Sequence, residues 1–329
     1  MLCAYRVSDY SQRADSGKAA DGGGRFFFTS EGCNEIVRSL TLMHPESIVD
    51  VVARAESLMD GSPSGEEDPG TSFVLARAYR YCGDPRFLNR LEQMMSPEDG
   101  RKSGASPAYD QEVMSRAARV ISDTYAFHLA GESGHPVEDK LLKDIRARCS
   151  RLIRTRQKAR PLARVMAAGA AAMAALSLPP GDASERHREW GLATLSELAG
   201  QYTFPSRPIS LGERCLVAEV YLSLIILTQR HRLDVPSTVL GSVEAVIDSI
   251  GEVPDVPAMG RGGEIVLDVV PFESHGSREA ILALGAVLFD RPDLSEAGVE
   301  AGETLLWLLG IGGMEEFEAL FAVGAEEMR

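Results

Sequence analysis

From Glu31 to the end of the chain, apolar residues recur at the three-and-four spacing of an α-helix, and no other feature restricts the fold as much. Val113, Ala117, Val120, Ile121 and Thr124 form one such run, and Leu142, Ile145, Cys149, Leu152 and Ile153 another. Pro- and Gly-rich breaks at Pro45, 61–70, 83–85, 100–107, 131–136, 179–182, 205–208 and 254–263 divide the periodic stretches. About a dozen helices follow from that division. Pro85, Pro136 and Pro236 stand near first-turn positions, and Ser277 stands just ahead of the apolar run 281–288, as capping rules expect.

β-like character is confined to Arg25–Thr29 and Glu264–Val270, too little for an independent sheet. Helical pairs joined by short loops leave a bundle, a solenoid or a closed toroid. The stretch Thr71–Met95, with its Gly83-Asp84-Pro85 turn, would fit a tetratricopeptide hairpin, but no period near 34 residues recurs downstream. Helices matched in length but not in sequence fit a toroid. The expected fold is therefore all-α: an α/α toroid, an incomplete barrel of antiparallel helical hairpins, with at most two short strands. It would occupy 31–329, after a polar, flexible segment over 1–30.

Composition removes several function classes. The 329 residues are 44% hydrophobic and 25% charged, enough for a sizeable core. A net charge of −14 makes the molecule as a whole repel nucleic acid and anionic membrane. Cys3, Cys33, Cys82, Cys149 and Cys215 are scattered, with no C-x-x-C pair, and read as reduced structural thiols. The polar Met1–Arg25 stretch lacks the apolar core of a signal peptide, so a cytoplasmic location is expected. The Ala-rich Val165–Leu178 run falls short of the ~20 residues that span a bilayer, so no membrane span is expected.

The segment Ser277–Gly310 resembles the last helical pair of heparinase II/III-like polysaccharide lyases. Met114–Gly131, Leu162–Pro179 and Leu216–Pro236 resemble earlier helices of that family in the same order, so the resemblance runs from about Pro45 to Met328. It implies a helical toroid whose substrate cleft is completed by a β-sandwich, here to be supplied by another polypeptide if at all. The family's active-site motifs are not retained. Its Asn-Asn-His position reads Arg160-Pro161-Leu162-Ala163, and its His/Tyr motif reads Ser206-Arg207-Pro208-Ile209-Ser210-Leu211-Gly212-Glu213-Arg214-Cys215. Its Pro-x-x-Gly-Asp turn reads Pro257-Ala258-Met259-Gly260-Arg261. Uronate β-elimination needs a neutralised carboxylate, a base for the C5 proton and an acid for the leaving oxygen. Loss of Asn, His and Tyr together implies loss of catalysis, with Tyr202, Arg214 and His275 as the remaining catalytic candidates.

Arginines and a lysine concentrate between 146 and 164, against the acidic background. Guanidinium groups grip carboxylate, sulfate and phosphate, so Arg151, Arg154, Lys158, Arg160 and Arg164, with Arg207 and Arg261, are the candidate ligand-binding residues. The alternative is a solvated helix face. Interleaved aromatics that would stack bases are missing, which disfavours nucleic acid. The six histidines make no H-E-x-x-H or i, i+4 pair, and the glycine runs at 22–24 and 260–263 lack phosphate-loop or dinucleotide context, so neither metal nor cofactor is expected. Tyr202, Phe204, Tyr221 and Trp190 offer either sugar platforms or core packing.

The expected function is a degenerate heparinase-like toroid binding an acidic polysaccharide or a partner protein. A divergent lyase and a helical protein-interaction scaffold are the alternatives.

Overall fold

The computed structural model describes residues 26–59, 69–95, 109–131, 133–155, 159–181, 183–203, 209–252, 277–295 and 302–327. Among them the protein is all-α: α1 (Ser30–Met43), α2 (Pro45–Met59), α3 (Thr71–Cys82), α4 (Pro85–Met94), α5 (Tyr109–Ala130), α6 (Val137–Thr155), α7 (Pro161–Ser177), α8 (Ser184–Thr203), α9 (Leu211–Arg230), α10 (Ser237–Gly251), α11 (Ser277–Phe289) and α12 (Glu303–Glu327), with a 3-10 turn at Pro292–Ser295. The helices fall into two compact units, Gly24–Leu195 and the stretch from Ser196 onward.

Local chemistry sets the helix ends. Thr29 caps α1 by accepting the Gly32 N–H at 3.0 Å. Gly83, at φ 72°, closes α3 with its N–H on the Tyr79 carbonyl. Asp84 then caps α4 by accepting the Arg86 N–H at 2.9 Å, and Pro85 fills the first helical position.

In the first unit α5 is the central element, packed against α3, α6 and α7. Its expected stripe, Val113, Ala117, Val120, Ile121 and Thr124, is buried, but so are Ser122, Asp123, Tyr125 and Ala126. The helix is thus covered on every side through its middle. On α6 the buried stripe is Val137, Leu141, Ile145, Cys149 and Leu152, so the face is centred on Leu141 and Leu142 is only half-buried. The alanines of α7 leave shallow grooves that admit a close neighbour. Gly191 of α8 uses one: a Cβ there would stand 2.7 Å from the Ala168 carbonyl oxygen and 2.8 Å from the Ala172 Cβ.

The β-like reading of Arg25–Thr29 is corrected over its described residues. Phe26–Phe28 form no strand; their three rings are buried, Phe26 stacking on His128 with centroids 4.0 Å apart. Rings packed against Tyr125, Phe26 edge-on and Phe27 stacked, gain more from burial than a lone strand without a partner gains from its backbone. The Glu264–Val270 reading and the polar segment up to Arg25 lie outside the described residues.

In the second unit α9 is buried from Cys215 to Thr228 except at Glu219, and it packs with α10, α11 and α12. An apolar helix without a polar face has to be enclosed, and the three neighbours enclose it. Leu198, Ala199 and Tyr202 from the end of α8 join this core.

Candidate functional site

Tyr202 and Arg214 are the catalytic candidates that fall within the described residues, and both serve packing. Tyr202 is 8% exposed and lies beside Tyr221, Ala199, Val217, Val243 and Val246 around an apolar crevice without room for a water molecule. Burial first, and the neighbouring Tyr202 second, push the Tyr221 phenol above its usual range, which leaves it protonated and inert as a base at neutral pH. Arg214, in the first turn of α9, donates from a terminal nitrogen to the Ser249 carbonyl at 2.9 Å. Arg278 of α11 reaches the Ile250 and Gly251 carbonyls at 3.3 Å each. The two guanidiniums satisfy carbonyls left over at the C-terminus of α10, where positive charge also suits the helix dipole. His275 lies outside the described residues, as do Lys158, Arg207 and Arg261.

The basic segment separates into two groups. Arg146 donates to the Pro179 carbonyl at 2.7 Å and the Pro180 carbonyl at 3.3 Å, holding the loop after α7. Arg148 turns inward, its side chain 14% exposed, with Nε 3.7 Å from Asp123 Oδ2. The remainder faces outward. Arg151 and Arg154 are exposed on the last turns of α6, Arg154 donating through Nε to the Ser150 carbonyl at 3.1 Å. Arg160, its side chain 85% exposed, stands 3.3 Å from Asp110 while its backbone N–H donates to the same carboxylate at 2.9 Å. Arg164 is half-buried on α7. Among the described residues, three arginines of the predicted anion-binding set face outward around the α6–α7 junction.

Sequence reasoning missed the most unusual polar group. Asp123 is fully buried at the middle of α5, with Arg119 Nε 3.9 Å and Arg148 Nε 3.7 Å from its two oxygens. Beside it the Ser72 and Ser122 hydroxyls hydrogen-bond at 2.8 Å, and Ser122 also accepts the Phe73 N–H at 3.1 Å. Desolvation raises the carboxyl above its ordinary range, outweighing the two guanidiniums. The same burial, with Asp123 nearby, pushes the Cys149 thiol up to about 12. A raised carboxyl is a usual sign of acid–base chemistry, but at 0% exposure no substrate reaches this one. The Ser122-Asp123-Thr124 triplet in an otherwise apolar stretch of helix was the available signal.

His128 completes the polar interior of this unit. It bonds to the backbone of Ser177, its Nε2 is buried, and burial lowers its pKa to about 3, so the ring is neutral. Among the described residues no three His, Cys, Asp or Glu side chains converge as metal ligands, and no helix is long and apolar enough to cross a membrane. Cys33, Cys82, Cys149 and Cys215 are not in disulfides. Glu213 and Glu219, two carboxylates of α9, are half-buried.

Comparison with known proteins finds no matching family model, no matching curated protein and no matching solved structure.

Proposed function

We propose that the chain is a catalytically silent helical scaffold, related to the toroids of heparinase II/III-like lyases, which binds an acidic polysaccharide through the α6–α7 junction. The observation that carries the reading is the contrast between two sets of candidates. Tyr202 and Arg214 are committed to a filled core and a helix end, whereas Arg151, Arg154 and Arg160 stay exposed in a protein of net charge −14. Guanidinium groups separated by a turn of helix match the carboxylate or sulfate spacing of an acidic glycan better than isolated ammonium groups do. Attraction between exposed charges is screened by salt, so binding would weaken as ionic strength rises.

The test is binding to polygalacturonate, alginate and heparin, with dextran as the neutral control, while following the ultraviolet absorbance of unsaturated products. Salt-sensitive binding without rising absorbance, lost in the Arg151→Ala/Arg154→Ala/Arg160→Ala variant, is the expected result. Rising absorbance would establish a divergent lyase instead.

A second reading, a protein-interaction scaffold, is favoured by the exposed apolar residues Leu42, Met43 and Val49. A blank glycan panel would move the function to that surface.

A further inference from the structure

Among the described residues five large apolar side chains are exposed, and three of them, Leu42, Met43 and Val49 at 84%, 48% and 65%, flank the single turn between α1 and α2. Scattered exposed apolar residues are ordinary, but a cluster at one corner marks a contact surface. The turn is tight: the His44 N–H reaches the Leu40 carbonyl at 2.8 Å and the Ser47 N–H reaches the His44 carbonyl at 3.1 Å. Leu42 and Val49 are therefore carried on a fixed corner.

The hairpin already packs its other side. α2 sets Ala55 against the unit, and Ile48, Val51, Val52 and Leu58 are half-buried on the face towards α3. Leu42, Met43 and Val49 stand exposed at this corner within a mainly acidic surround. Glu31, Glu35, Glu46, Asp50 and Glu56 are exposed, against Arg38 and Arg54. Glu35 lies two helical turns from Leu42 on the same side of α1, and Glu46 and Asp50 flank Val49 on α2.

We propose that the α1–α2 corner docks an amphipathic helix of a partner protein, with large apolar residues on one face and Lys or Arg along its edges. The apolar trio supplies the desolvated centre and the carboxylates the complementary rim, the apolar-core and polar-rim anatomy of a protein interface. A second copy of this chain would bring the same acidic rim and be repelled, so the charge selects a basic partner. The corner is built from other helices than those that carry the arginines of the α6–α7 junction, and its occupancy does not depend on the polysaccharide reading.

The experiment measures fluorescence anisotropy of a labelled Lys/Leu amphipathic helical peptide titrated with the full chain. A scrambled Lys/Leu peptide of equal composition and a Glu/Leu helix serve as controls. The amphipathic basic peptide is expected to bind at least tenfold more tightly than either control. Leu42→Ser/Val49→Ser should weaken it about tenfold, as should Glu46→Lys/Asp50→Lys, with an unchanged circular dichroism spectrum in both variants. Equal binding of the scrambled peptide, or unaltered affinity in the variants, would overturn the proposal. So would a dimer of the wild-type chain that dissociates in Leu42→Ser/Val49→Ser, which would give the face to a second copy. None of these outcomes alters the glycan result.

Discussion

The two units solve the same packing problem with different chemistry. The Gly24–Leu195 unit encloses ionisable groups: Asp123 beside Arg119 and Arg148, Arg77 at 3% exposure beneath Tyr81, and neutral His128 under Phe26. The unit from Ser196 onward encloses apolar surface around α9 and keeps its guanidiniums at the edges. There Arg214 and Arg278 close α10, Arg230 reaches the Leu308 carbonyl at 3.3 Å, and Arg291 pairs with Glu244, Asp248 and Asp293. Its buried acid, Glu303, accepts the Trp307 indole N–H at 2.9 Å. A charge at an edge bonds carbonyls that would otherwise need water, whereas a charge in the core carries a desolvation cost that only its partners offset. The first unit should accordingly respond to pH and to polar substitution, and the second to loss of apolar volume.

Acid gives the largest separation. His128 has a folded-state pKa near 3 against an ordinary 6.5, so between those values the unfolded chain holds more protons than the folded one. Stability is therefore full above 6.5 and falls as the pH drops through that window, by roughly 4 to 5 kcal/mol at its acid end. Amide hydrogen exchange at descending pH should show α5 opening before α9, and His128→Phe should flatten that dependence. In the second unit Tyr221 has a raised pKa, so its contribution is full below 10 and is lost only as the pH rises beyond it. Tyr221→Phe should remove that alkaline loss.

Arg148→Leu should cost about 3 kcal/mol in thermal or urea unfolding at neutral pH, because it leaves Asp123 buried with less compensation. Asp123→Asn should cost less. Because the Asp123 pKa is raised in the fold, the wild-type chain loses stability as the pH climbs through it, so the Asn variant should gain relative to wild type over that rise. Gly191→Ala tests the α7–α8 approach: its Cβ would meet a backbone oxygen at 2.7 Å, and a loss of about 2 kcal/mol is expected. The smallest effect is expected at the edge of the second unit. Arg214→Met should cost only about 1 kcal/mol, the worth of one hydrogen bond to a half-exposed carbonyl, with no change in any activity assay. A cost above that of Arg148→Leu would reverse the comparison.

The sequence made the helical class legible because the 3.6-residue period is strong in elements such as α5 and α6, and the Gly83-Asp84-Pro85 turn because each residue has a separate stereochemical reason to be there. The direction of individual arginines was not legible. Arg146, Arg148 and Arg151 lie within six positions of one another, yet one holds a loop, one faces Asp123 and one faces solvent. On a helix, steps of two and three residues turn the side chain through very different angles, and the neighbouring elements decide which angle is interior. Phe26–Phe28 was misread as strand because a short apolar run carries no period of its own. Asp123 was passed over because burial of a carboxylate depends on Arg148, which is remote in sequence.

The central claim is a scaffold that binds without cleaving, and the most direct measurement is continuous ultraviolet absorbance of the protein mixed with polygalacturonate, alginate and heparin, alongside binding on the same samples. Salt-sensitive binding that depends on Arg151, Arg154 and Arg160 is expected, with absorbance unchanged over a day. Rising absorbance would contradict it, since it would place an eliminating centre in this chain.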